Sequence, residues 1–309
     1  MEIICHLPFS DMRADLHTIG AAVIACSLAI LLPPVSTRAA SVPYVDGGYI
    51  GQIQLYKVKK NDSLIEVARY FNVGYNSIVD ANPGVDPFLP KPGDTITIPT
   101  AWIPPFTSVR PTIVINLPEY RLYYFPDDAS GEVLTFPLGI GDEGKDTPTG
   151  TYSIVEKIRN PAWRVPESIR SGNRRLPRIV PPGPENPMGP PALRLSRSAI
   201  LIHGTNRPWG IGRRSSHGCL RLYPEDIVQL FRLVEKGTEV AVINEPIKVS
   251  ISEGKVFIEV HRYGREGGTV GQALHLLAKK NLVAKTDFKR LIKAVEEKMG
   301  VPTEITLKR

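Results

Sequence analysis

The amino-acid sequence predicts a mainly β protein, in which a small βααβ domain precedes a larger β-rich domain and a C-terminal α/β extension follows. Two observations lead to this fold class. Residues 55–99 read as strand, helix, helix and strand, and residues 111–245 contain mostly short apolar runs bounded by turn residues. The composition, with 42% hydrophobic and 22% charged residues, is that of a globular chain and excludes wholesale disorder.

The N-terminal segment, residues 1–39, is predicted to be a signal peptide, so we expect an exported protein. Its apolar run at residues 19–32 is shorter than the roughly 20 residues that span a bilayer. Small residues precede a cut after Ala39, and the mature chain then keeps no stable transmembrane segment. Retention of this segment as an anchor, and a true start at Met12, are the alternatives.

Charge and cysteine content narrow the class of function. The formal net charge is +7 and stays positive without residues 1–39, which suits an anionic polymer or a membrane surface. An exported protein meets no nucleic acid. Two of the three cysteines, Cys5 and Cys26, lie within the predicted signal peptide, so Cys219 is alone in the mature chain. Such a thiol is an intermolecular partner, an inert buried group or a nucleophile.

The βααβ domain is assigned from its caps and its periodicity. Residues 55–58 form a short strand, and Asp62 or Ser63 caps a helix whose apolar residues recur at helical spacing. A second helix stops at Asn82-Pro83-Gly84, and residues 95–98 alternate as a closing strand.

This segment resembles a LysM domain, a module that binds N-acetylglucosamine-containing glycans such as peptidoglycan. The matching motifs are Tyr56-x-Val58, Asp62-Ser63-Leu64, Phe71-Asn72-Val73, Ala81-Asn82-Pro83 and Pro92-Gly93-Asp94. LysM sequences usually have Gly in place of Asn61, and Asn also tolerates the left-handed conformation of a tight turn. The resemblance implies glycan contacts from two loops, at Asn61, Asp62, Ser63, Asn82, Pro83 and Gly84. A packing domain without a ligand is the alternative.

The larger domain, residues 111–245, is predicted to begin with a hairpin around Pro118-Glu119. Linkers are predicted at 40–54 and 100–110, and residues 246–309 form the extension, whose role the sequence leaves open. Predicted strands are 113–117, 121–125, 133–137, 151–156, 192–196, 200–203, 239–243, 248–252 and 255–261, and predicted helices lie at 224–235 and near 270–280 and 287–299.

The proline-rich, aperiodic stretch from 160 to 191 is typical of a functional lid or of disorder.

The candidate nucleophile is Cys219, in the run Ser216-His217-Gly218-Cys219. A nucleophilic cysteine needs a base or an imidazolium near its sulfur, and backbone N–H groups aimed at the developing oxyanion. Gly218 lets a substrate carbonyl approach the backbone closely, and His217 lies two positions before the sulfur. His203 ends an apolar strand and precedes Gly204, a position that holds a base rigidly.

Two other readings of these residues stay open at this point. A zinc site from His203, His217 and Cys219 is chemically feasible, but no fourth ligand is evident and the spacing matches no familiar zinc pattern. A papain-like peptidase would place its histidine after the cysteine, which makes His261 or His275 the partner. We therefore expect no metal and no cofactor.

The runs around these residues resemble the signature of YkuD-type L,D-transpeptidases. The signature motifs are His203-Gly204-Thr205 and Ser215-Ser216-His217-Gly218-Cys219-Leu220-Arg221. Supporting motifs are Pro137-Leu138-Gly139-Ile140-Gly141, Thr147-Pro148-Thr149-Gly150 and Asn186-Pro187-Met188-Gly189-Pro190-Pro191. With a LysM domain before it, the chain is most similar to the periplasmic branch that includes lipoprotein-attaching enzymes.

The resemblance implies a reaction and a role for each residue. Cys219 attacks a tetrapeptide stem of peptidoglycan, releases D-alanine and holds a thioester, and His203 takes the thiol proton while the Gly204 carbonyl orients its ring. Backbone N–H groups of Gly218 and Cys219 form the oxyanion site. Ser216, His217 and Arg221 support the site or bind the stem.

The acyl acceptor is the part of the reaction that the resemblance leaves open. A stem amine, a lysine of an outer-membrane lipoprotein or water can take the acyl group; water would give an L,D-carboxypeptidase. A non-catalytic peptidoglycan-binding protein is the remaining alternative.

Overall fold

A computed structural model describes residues 40–43, 48–105, 112–127, 131–173, 175–197, 199–263 and 267–308. The predicted signal peptide and its alternatives, an anchor or a start at Met12, therefore fall outside the described residues. Within the described ranges, no helix combines the length and the apolar character that a membrane crossing requires.

The N-terminal part contains the predicted βααβ unit. Its elements are β1 (Ala40–Pro43), β2 (Ile50–Gly51), β3 (Gln54–Lys57), α1 (Leu64–Tyr70), α2 (Tyr75–Asp80), β4 (Thr95–Ile98) and β5 (Ala101–Trp102). Strands β3 and β4 pair antiparallel. Helix α1 begins where the Ser63 hydroxyl accepts the Glu66 N–H and donates to the Glu66 carboxylate at 2.8 Å, and it buries Leu64, Val67 and Ala68.

The central part is built almost entirely from strands. They are β6 (Ile113–Asn116), β7 (Arg121–Tyr124), β8 (Glu132–Gly141), β9 (Gly150–Ile158), β10 (Trp163–Arg164), β11 (Ile179–Val180), β12 (Ala192–Leu195), β13 (Leu201–His203), β14 (Arg214–Ser216), β15 (Leu220–Leu222) and β16 (Glu239–Ile243), with helices α3 (Glu167–Gly172) and α4 (Pro224–Leu233). Short 3-10 turns occupy Leu117–Glu119 and Pro208–Gly210.

Eight of these strands close into a barrel in the order β8, β15, β13, β12, β9, β16, β6 and β7, with β7 pairing back to β8. Closure removes the open strand edges. One apolar core fills the interior, with Phe136, Leu193, Ile202 and Leu220 among its fully buried members. Helix α4 starts at Pro224 beside two acidic residues, as predicted, and packs Ile227 into the same core. The mainly β fold class is confirmed.

The described parts of the two predicted linkers, residues 40–43, 48–54 and 100–105, contain short strands. Strand β1 pairs antiparallel with β8, and β2 pairs with β5. Trp102 and Ile103 are buried, and the guanidinium of Arg121 lies 3.9 Å from the centre of the Trp102 ring. These segments therefore belong to the packed body of the protein because their apolar side chains contribute to its core.

The βααβ unit packs directly on the outside of the barrel. Its core cluster includes Val114, Tyr123, Phe125 and Val133, which belong to strands β6 to β8 or their ends. Side chains alternate along a strand, so these residues point outward where their neighbours fill the barrel. Because the two apolar clusters lie on opposite sides of the same strands, the unit and the barrel are packed together.

The C-terminal extension has a core of its own. Its elements are β17 (Ile247–Ser252), β18 (Lys255–Val260), α5 (Val270–Lys279), α6 (Phe288–Glu297) and β19 (Thr303–Glu304), with a 3-10 turn at Val283–Lys285. The sheet order is β17, β18, β19. Thr269 and Gln272 form a capping box at α5, and Asp287 caps α6. The sequence did not predict β19, which has only two residues.

The proline-rich stretch before β12 is ordered in the described ranges. Strands β10 and β11 pair antiparallel, with α3 between them. The side chain of Asn186 is 2% exposed and donates to the carbonyls of Pro161, at 2.8 Å, and Pro181, at 3.2 Å. One buried amide thus joins the two ends of the stretch and gives it a defined shape despite its lack of periodicity.

Candidate active site

Strand register places the Cys219 and His203 side chains on one face of the barrel wall. Strands β13 and β15 are parallel, with Ile202 opposite Leu220 and His203 opposite Arg221. Ile202 and Leu220 point into the core. Since side chains alternate, His203 and Arg221 point to the other face, and Cys219, two residues before Arg221, points there too.

His203 is held in a single tautomer by two backbone carbonyls. Its Nδ1 atom lies 2.6 Å from the Gly204 oxygen and 3.0 Å from the Met188 oxygen. A carbonyl oxygen can only accept, so Nδ1 carries the hydrogen and Nε2 keeps its lone pair. The sequence resemblance implied the Gly204 contact but gave no sign of the Met188 contact.

Burial keeps the His203 imidazole neutral. The ring is 4% exposed, and burial, followed by the charge of Arg221, lowers its pKa from 6.5 to about 4, although the two carbonyls act in the opposite direction. A neutral imidazole with a free Nε2 is the form that accepts a proton. His203 is therefore suited to act as a general base.

The Cys219 thiol is half-buried and protonated at rest. Burial raises its pKa, while a hydrogen bond from the Leu201 backbone and the charges of Arg221 and Arg194 act against that rise. The sulfur lies 3.7 Å from the Ala199 carbonyl, to which the thiol donates. A raised thiol pKa and a lowered imidazole pKa leave both groups neutral, and a neutral thiol has to lose its proton before it can act as a nucleophile.

The turn before Cys219 is fixed by hydroxyl groups. The buried Ser216 hydroxyl donates to the Cys219 carbonyl at 2.5 Å and accepts the Gly218 N–H at 3.2 Å. Thr147 donates to the Gly218 carbonyl at 3.1 Å. Gly218 has a φ of +98°, a conformation that side chains disfavour. The Gly218 N–H thus has a partner within the turn, which leaves the Cys219 N–H as the candidate oxyanion donor.

His217 lies at the exposed mouth of the site. Its Nε2 atom is 2.7 Å from the Lys145 ammonium, which can only donate, so Nε2 is the accepting nitrogen. Burial, and then the charges of Lys145 and Arg221, lower the His217 pKa. This contact gives the ring a partner other than Cys219 and makes His203 the better candidate for the base. The sequence gave no signal for Lys145.

Arg221 supplies positive charge beneath the pair. Its guanidinium donates to the Ser215 carbonyl at 2.8 Å, and its Nε atom has no hydrogen-bond partner among the described residues. Arg221 is among the groups that lower the pKa values of both His203 and Cys219. It acts on the reacting pair electrostatically while holding the strand that leads to the catalytic turn.

The three side chains of the zinc alternative are not among those that converge as metal ligands in the described part of the chain. Within the described residues, the metal-ligating side chains that converge are Glu119, Glu259 and His261, which do not include Cys219, His203 or His217. The Lys248 ammonium lies 2.8 Å from Glu119 and 3.0 Å from Glu259, so a cation of the protein already occupies that cluster. His261, one histidine of the papain-like alternative, pairs with Glu259 at 2.6 Å in this cluster.

Two known protein families match this chain, one over the barrel and one over the βααβ unit. The L,D-transpeptidase catalytic domain profile matches residues 110–242, and the LysM profile matches residues 56–99. The probable L,D-transpeptidase YcfS of Escherichia coli K12 is 39% identical over 248 residues, which cover 77% of each chain. The probable L,D-transpeptidase YbiS of the same organism is 42% identical over 237 residues, 73% of this chain and 76% of the relative.

The chain belongs to the YkuD-type L,D-transpeptidase family. A solved L,D-transpeptidase from Mycobacterium smegmatis is 21% identical and covers 42% of this chain and 57% of its own, with a TM-score of 0.33. The family is one of acyl-transferring enzymes.

In this L,D-transpeptidase the residues expected to bind glycan do not all reach the surface. Asn61 is exposed, with the left-handed φ of +71° that its place in the turn requires, and Pro83 and Gly84 are exposed as well. Asp62 is half-buried and accepts from the Tyr56 hydroxyl at 2.9 Å.

Two of these residues have structural partners. Ser63 caps helix α1. Asn82 is buried, and its side chain donates to the carbonyls of Ile78 and Thr97 and accepts the Thr97 N–H, each at 2.7 Å. The Asn82 amide therefore joins the second helix to the closing strand.

Proposed function

We propose that this protein is an exported, periplasmic L,D-transpeptidase that acts on peptidoglycan. The Cys219 sulfur attacks the carbonyl carbon at the L-centre of the diamino acid in a tetrapeptide stem, and His203 Nε2 takes the thiol proton. The Cys219 N–H stabilises the oxyanion. When the tetrahedral intermediate collapses, the bond to the terminal D-alanine breaks and the proton on His203 passes to the leaving amine. The stem is then held as a thioester.

The second half of the reaction transfers the stem to an amine. The amine attacks the thioester carbonyl, loses its proton to His203, and releases Cys219 as the thiol. An amine of another stem gives a 3-3 cross-link, and a lysine of an outer-membrane lipoprotein gives a wall anchor. Water in place of the amine gives L,D-carboxypeptidase action.

The observation that carries this proposal is the state of His203. Two carbonyls hold its Nδ1–H, so the basic Nε2 is the nitrogen left for the face that it shares with Cys219. A protein that only binds the wall has no need of a neutral buried imidazole in that orientation. Cys219, Ser216, Arg221 and the Gly218 turn supply the remaining parts of an acyl-transfer site.

The test uses muropeptides that carry tetrapeptide stems, incubated with the mature protein with and without a lipoprotein C-terminal peptide. We expect loss of D-alanine and a thioester adduct on Cys219 in the intact mass, and the product masses identify the acceptor. Cys219→Ala should abolish both and keep binding to insoluble peptidoglycan. Turnover by Cys219→Ala, or no turnover by the wild type, contradicts the enzyme proposal.

We also propose that residues 161–191 form a lid that limits hydrolysis. The stretch contacts the catalytic base through the Met188 carbonyl, and Asn206 donates to the Pro184 carbonyl at 3.4 Å. Exclusion of water preserves a thioester for amine attack. Replacing Pro181 and Pro182 by Gly should loosen the lid and raise the ratio of hydrolysis to transfer. An unchanged ratio of hydrolysis to transfer would contradict the lid proposal.

We propose a separate role for each of the first two domains. Residues 55–99 bind glycan, residues 111–245 carry out the chemistry, and residues 246–309 form the extension. Of the two LysM loops, we propose that the exposed Asn61, Pro83 and Gly84 and the half-buried Asp62 and Ser63 face the sugar. Asn61→Trp and Gly84→Trp should reduce retention on insoluble peptidoglycan without slowing turnover of soluble muropeptides, and equal retention would exclude these loops.

A further inference from the structure

A groove of about 650 Å³ runs between the C-terminal extension and the barrel side of the chain, and it shares no lining residue with the Cys219 site. Its floor is strand β17. Helix α5 and the residues Ile103 and Pro104 also line it. The volume is that of a ligand site, because such sites usually enclose about 300–1,000 Å³.

The floor of the groove is the open edge of a sheet. Strand β17 pairs with β18, and no second strand pairs with it in the described part of the chain. The Pro246 carbonyl accepts the His261 N–H. This bond shows which residues of β17 turn their backbone groups towards β18, because the hydrogen-bonding direction alternates from one residue to the next. Residues 246, 248 and 250 therefore direct their backbone groups to β18, whereas Ile247 and Val249 direct their N–H and C=O groups into the groove.

The helical wall presents one continuous face. Gly271, His275 and Lys279 follow one another at intervals of four residues, and Gln272 and Leu276 lie beside them. Residues at this spacing share a side of an α-helix. An unpaired strand edge next to a helix is a geometry in which an extended peptide adds to a sheet.

A buried hydroxyl in the groove lacks a partner. Ser250 is 2% exposed and lines the groove, and its Oγ atom has no hydrogen-bond partner among the described residues. A buried polar group without a hydrogen-bond partner destabilises a protein, because it has lost its bonds to water. A polar group of an occupant would satisfy this hydroxyl.

The charge of the groove selects the occupant. Lys279, Lys280 and the exposed His275 line the helical side, and Glu245 is the one carboxylate among the lining residues. Burial raises the Glu245 pKa, and the charges of Lys248, Lys280 and Lys279 oppose that rise. The two lysines outnumber the one carboxylate, so an acidic occupant is complementary.

We propose that this groove binds an extended acidic segment of a partner polypeptide by strand addition to β17. The backbone of the segment pairs with Ile247 and Val249, its acidic side chains face Lys279, and a polar group meets Ser250. This binding site is additional to the acyl-transfer function and does not depend on it. It gives the C-terminal extension a role in recognising a protein partner.

The test begins with a displayed library of random hexapeptides, selected on the immobilised mature protein. Selected peptides are synthesised and titrated against the wild type, Lys279→Glu, Gly271→Trp and the control Lys289→Glu. Gly271 has room for a side chain, since an added Cβ meets nothing nearer than 3.9 Å. Lys289 is exposed on α6 and does not line the groove. Melting temperatures confirm that each variant is folded.

We expect selected peptides rich in Asp and Glu, with a dissociation constant raised about tenfold or more by Lys279→Glu and unchanged by Lys289→Glu. Gly271→Trp should block binding, and a backbone N-methylated copy of the peptide should fail to bind. Hydrogen exchange at Ile247 and Val249 should slow in the complex. Three results would each overturn the proposal: no selected peptide, binding insensitive to both groove variants, and a self-association of the protein that occupies the groove instead.

Discussion

The state of His203 sets the acidic limit of activity. Burial and the Arg221 charge lower the pKa of the ring to about 4, so its base form survives well below neutral pH. The rate of thioester formation should hold steady as the pH falls to about 5 and then drop through about 4. Stopped-flow measurement of the rate at a series of pH values, with a tetrapeptide substrate, measures this acidic side of the pH profile. A drop centred near 6.5, the ordinary histidine value, would contradict the neutral buried imidazole.

Arg221 is expected to tune both reacting groups. Its charge lowers the pKa of His203 and of Cys219, so Arg221→Gln should raise both. The acidic limb of the pH profile then moves to higher pH, because the base protonates earlier, and the thiol becomes harder to ionise. The exposed Arg232→Gln is the control and should leave the profile unchanged. Equal profiles for the wild type and Arg221→Gln would show that the arginine acts only as a strand anchor.

At the residue scale, sequence reasoning proposed a nucleophile and its base but not the contacts that surround them. Cys219 and His203 stand out because each lies in a short local motif. Met188, Lys145 and Thr147 reach the site from distant loops, and only the fold brings them there. The burial of Asn82 was equally hidden, because an Asn-Pro-Gly run reads as an exposed turn.

At the element scale, helix α2 of the LysM domain is hydrogen-bonded to the loop that precedes strand β14. The N–H groups of Tyr75 and Asn76 donate to the carbonyls of Ile211 and Gly212, each at 3.2 Å. The Arg213 guanidinium lies 3.5 Å from the centre of the Tyr75 ring. Strand β14 follows at once and leads into Cys219. The start of this helix therefore fixes the loop that enters the active site.

Gly74→Val should disturb catalysis from within the LysM domain. An added Cβ at Gly74 would lie 2.8 Å from the Gly212 Cα, so the loop must shift. We expect slower turnover of soluble muropeptides, with binding to insoluble peptidoglycan retained. Gly271→Val is the matched control, since its Cβ has open space, and it should keep full turnover. Unchanged kinetics for Gly74→Val would mean that the contact is dispensable for the chemistry.

At the element scale, local patterns predicted most of the strands and helices, because alternation and capping act over a few residues. Helix α1 begins at one of its two predicted caps and helix α4 at the predicted Pro224, and helices α5 and α6 lie near the predicted stretches 270–280 and 287–299. Barrel closure depends on pairings between strands far apart in the sequence, such as β16 with β6 and β9, which no local pattern specifies.

Across the whole molecule, a buried charge network joins the C-terminal extension to the barrel. Lys248 of β17 pairs with Glu259 of β18 and with Glu119 from the turn after β6. Burial alone would raise the Glu259 pKa, but Lys248 and His261 outweigh it and leave that pKa below its usual range. The side chains of Lys248, Glu119 and Glu259 are all at most 3% exposed.

Lys248→Met should strongly destabilise the fold, because it leaves two buried carboxylates without their cation. We expect a loss of about 3–5 kcal/mol in the free energy of unfolding. Denaturant titration measures it. Lys255→Met is the control: Lys255 pairs with Glu304 at 3.3 Å on the surface, and its loss should cost about 1 kcal/mol or less. Equal losses for the two substitutions would show that the buried network contributes no more to the free energy of unfolding than a surface ion pair does.

The bond between helix α2 and the loop before β14 also bears on how the enzyme would search the cell wall. A module on a flexible tether raises the local concentration of its partner domain over a volume set by the tether length. Here backbone hydrogen bonds join the module to the loop before β14, and the described residues from 40 onward belong to one compact unit. For a glycan bound by the LysM domain as proposed, the distance to the Cys219 thiol is thus fixed, and stem peptides beyond that distance would be reached only after release and rebinding.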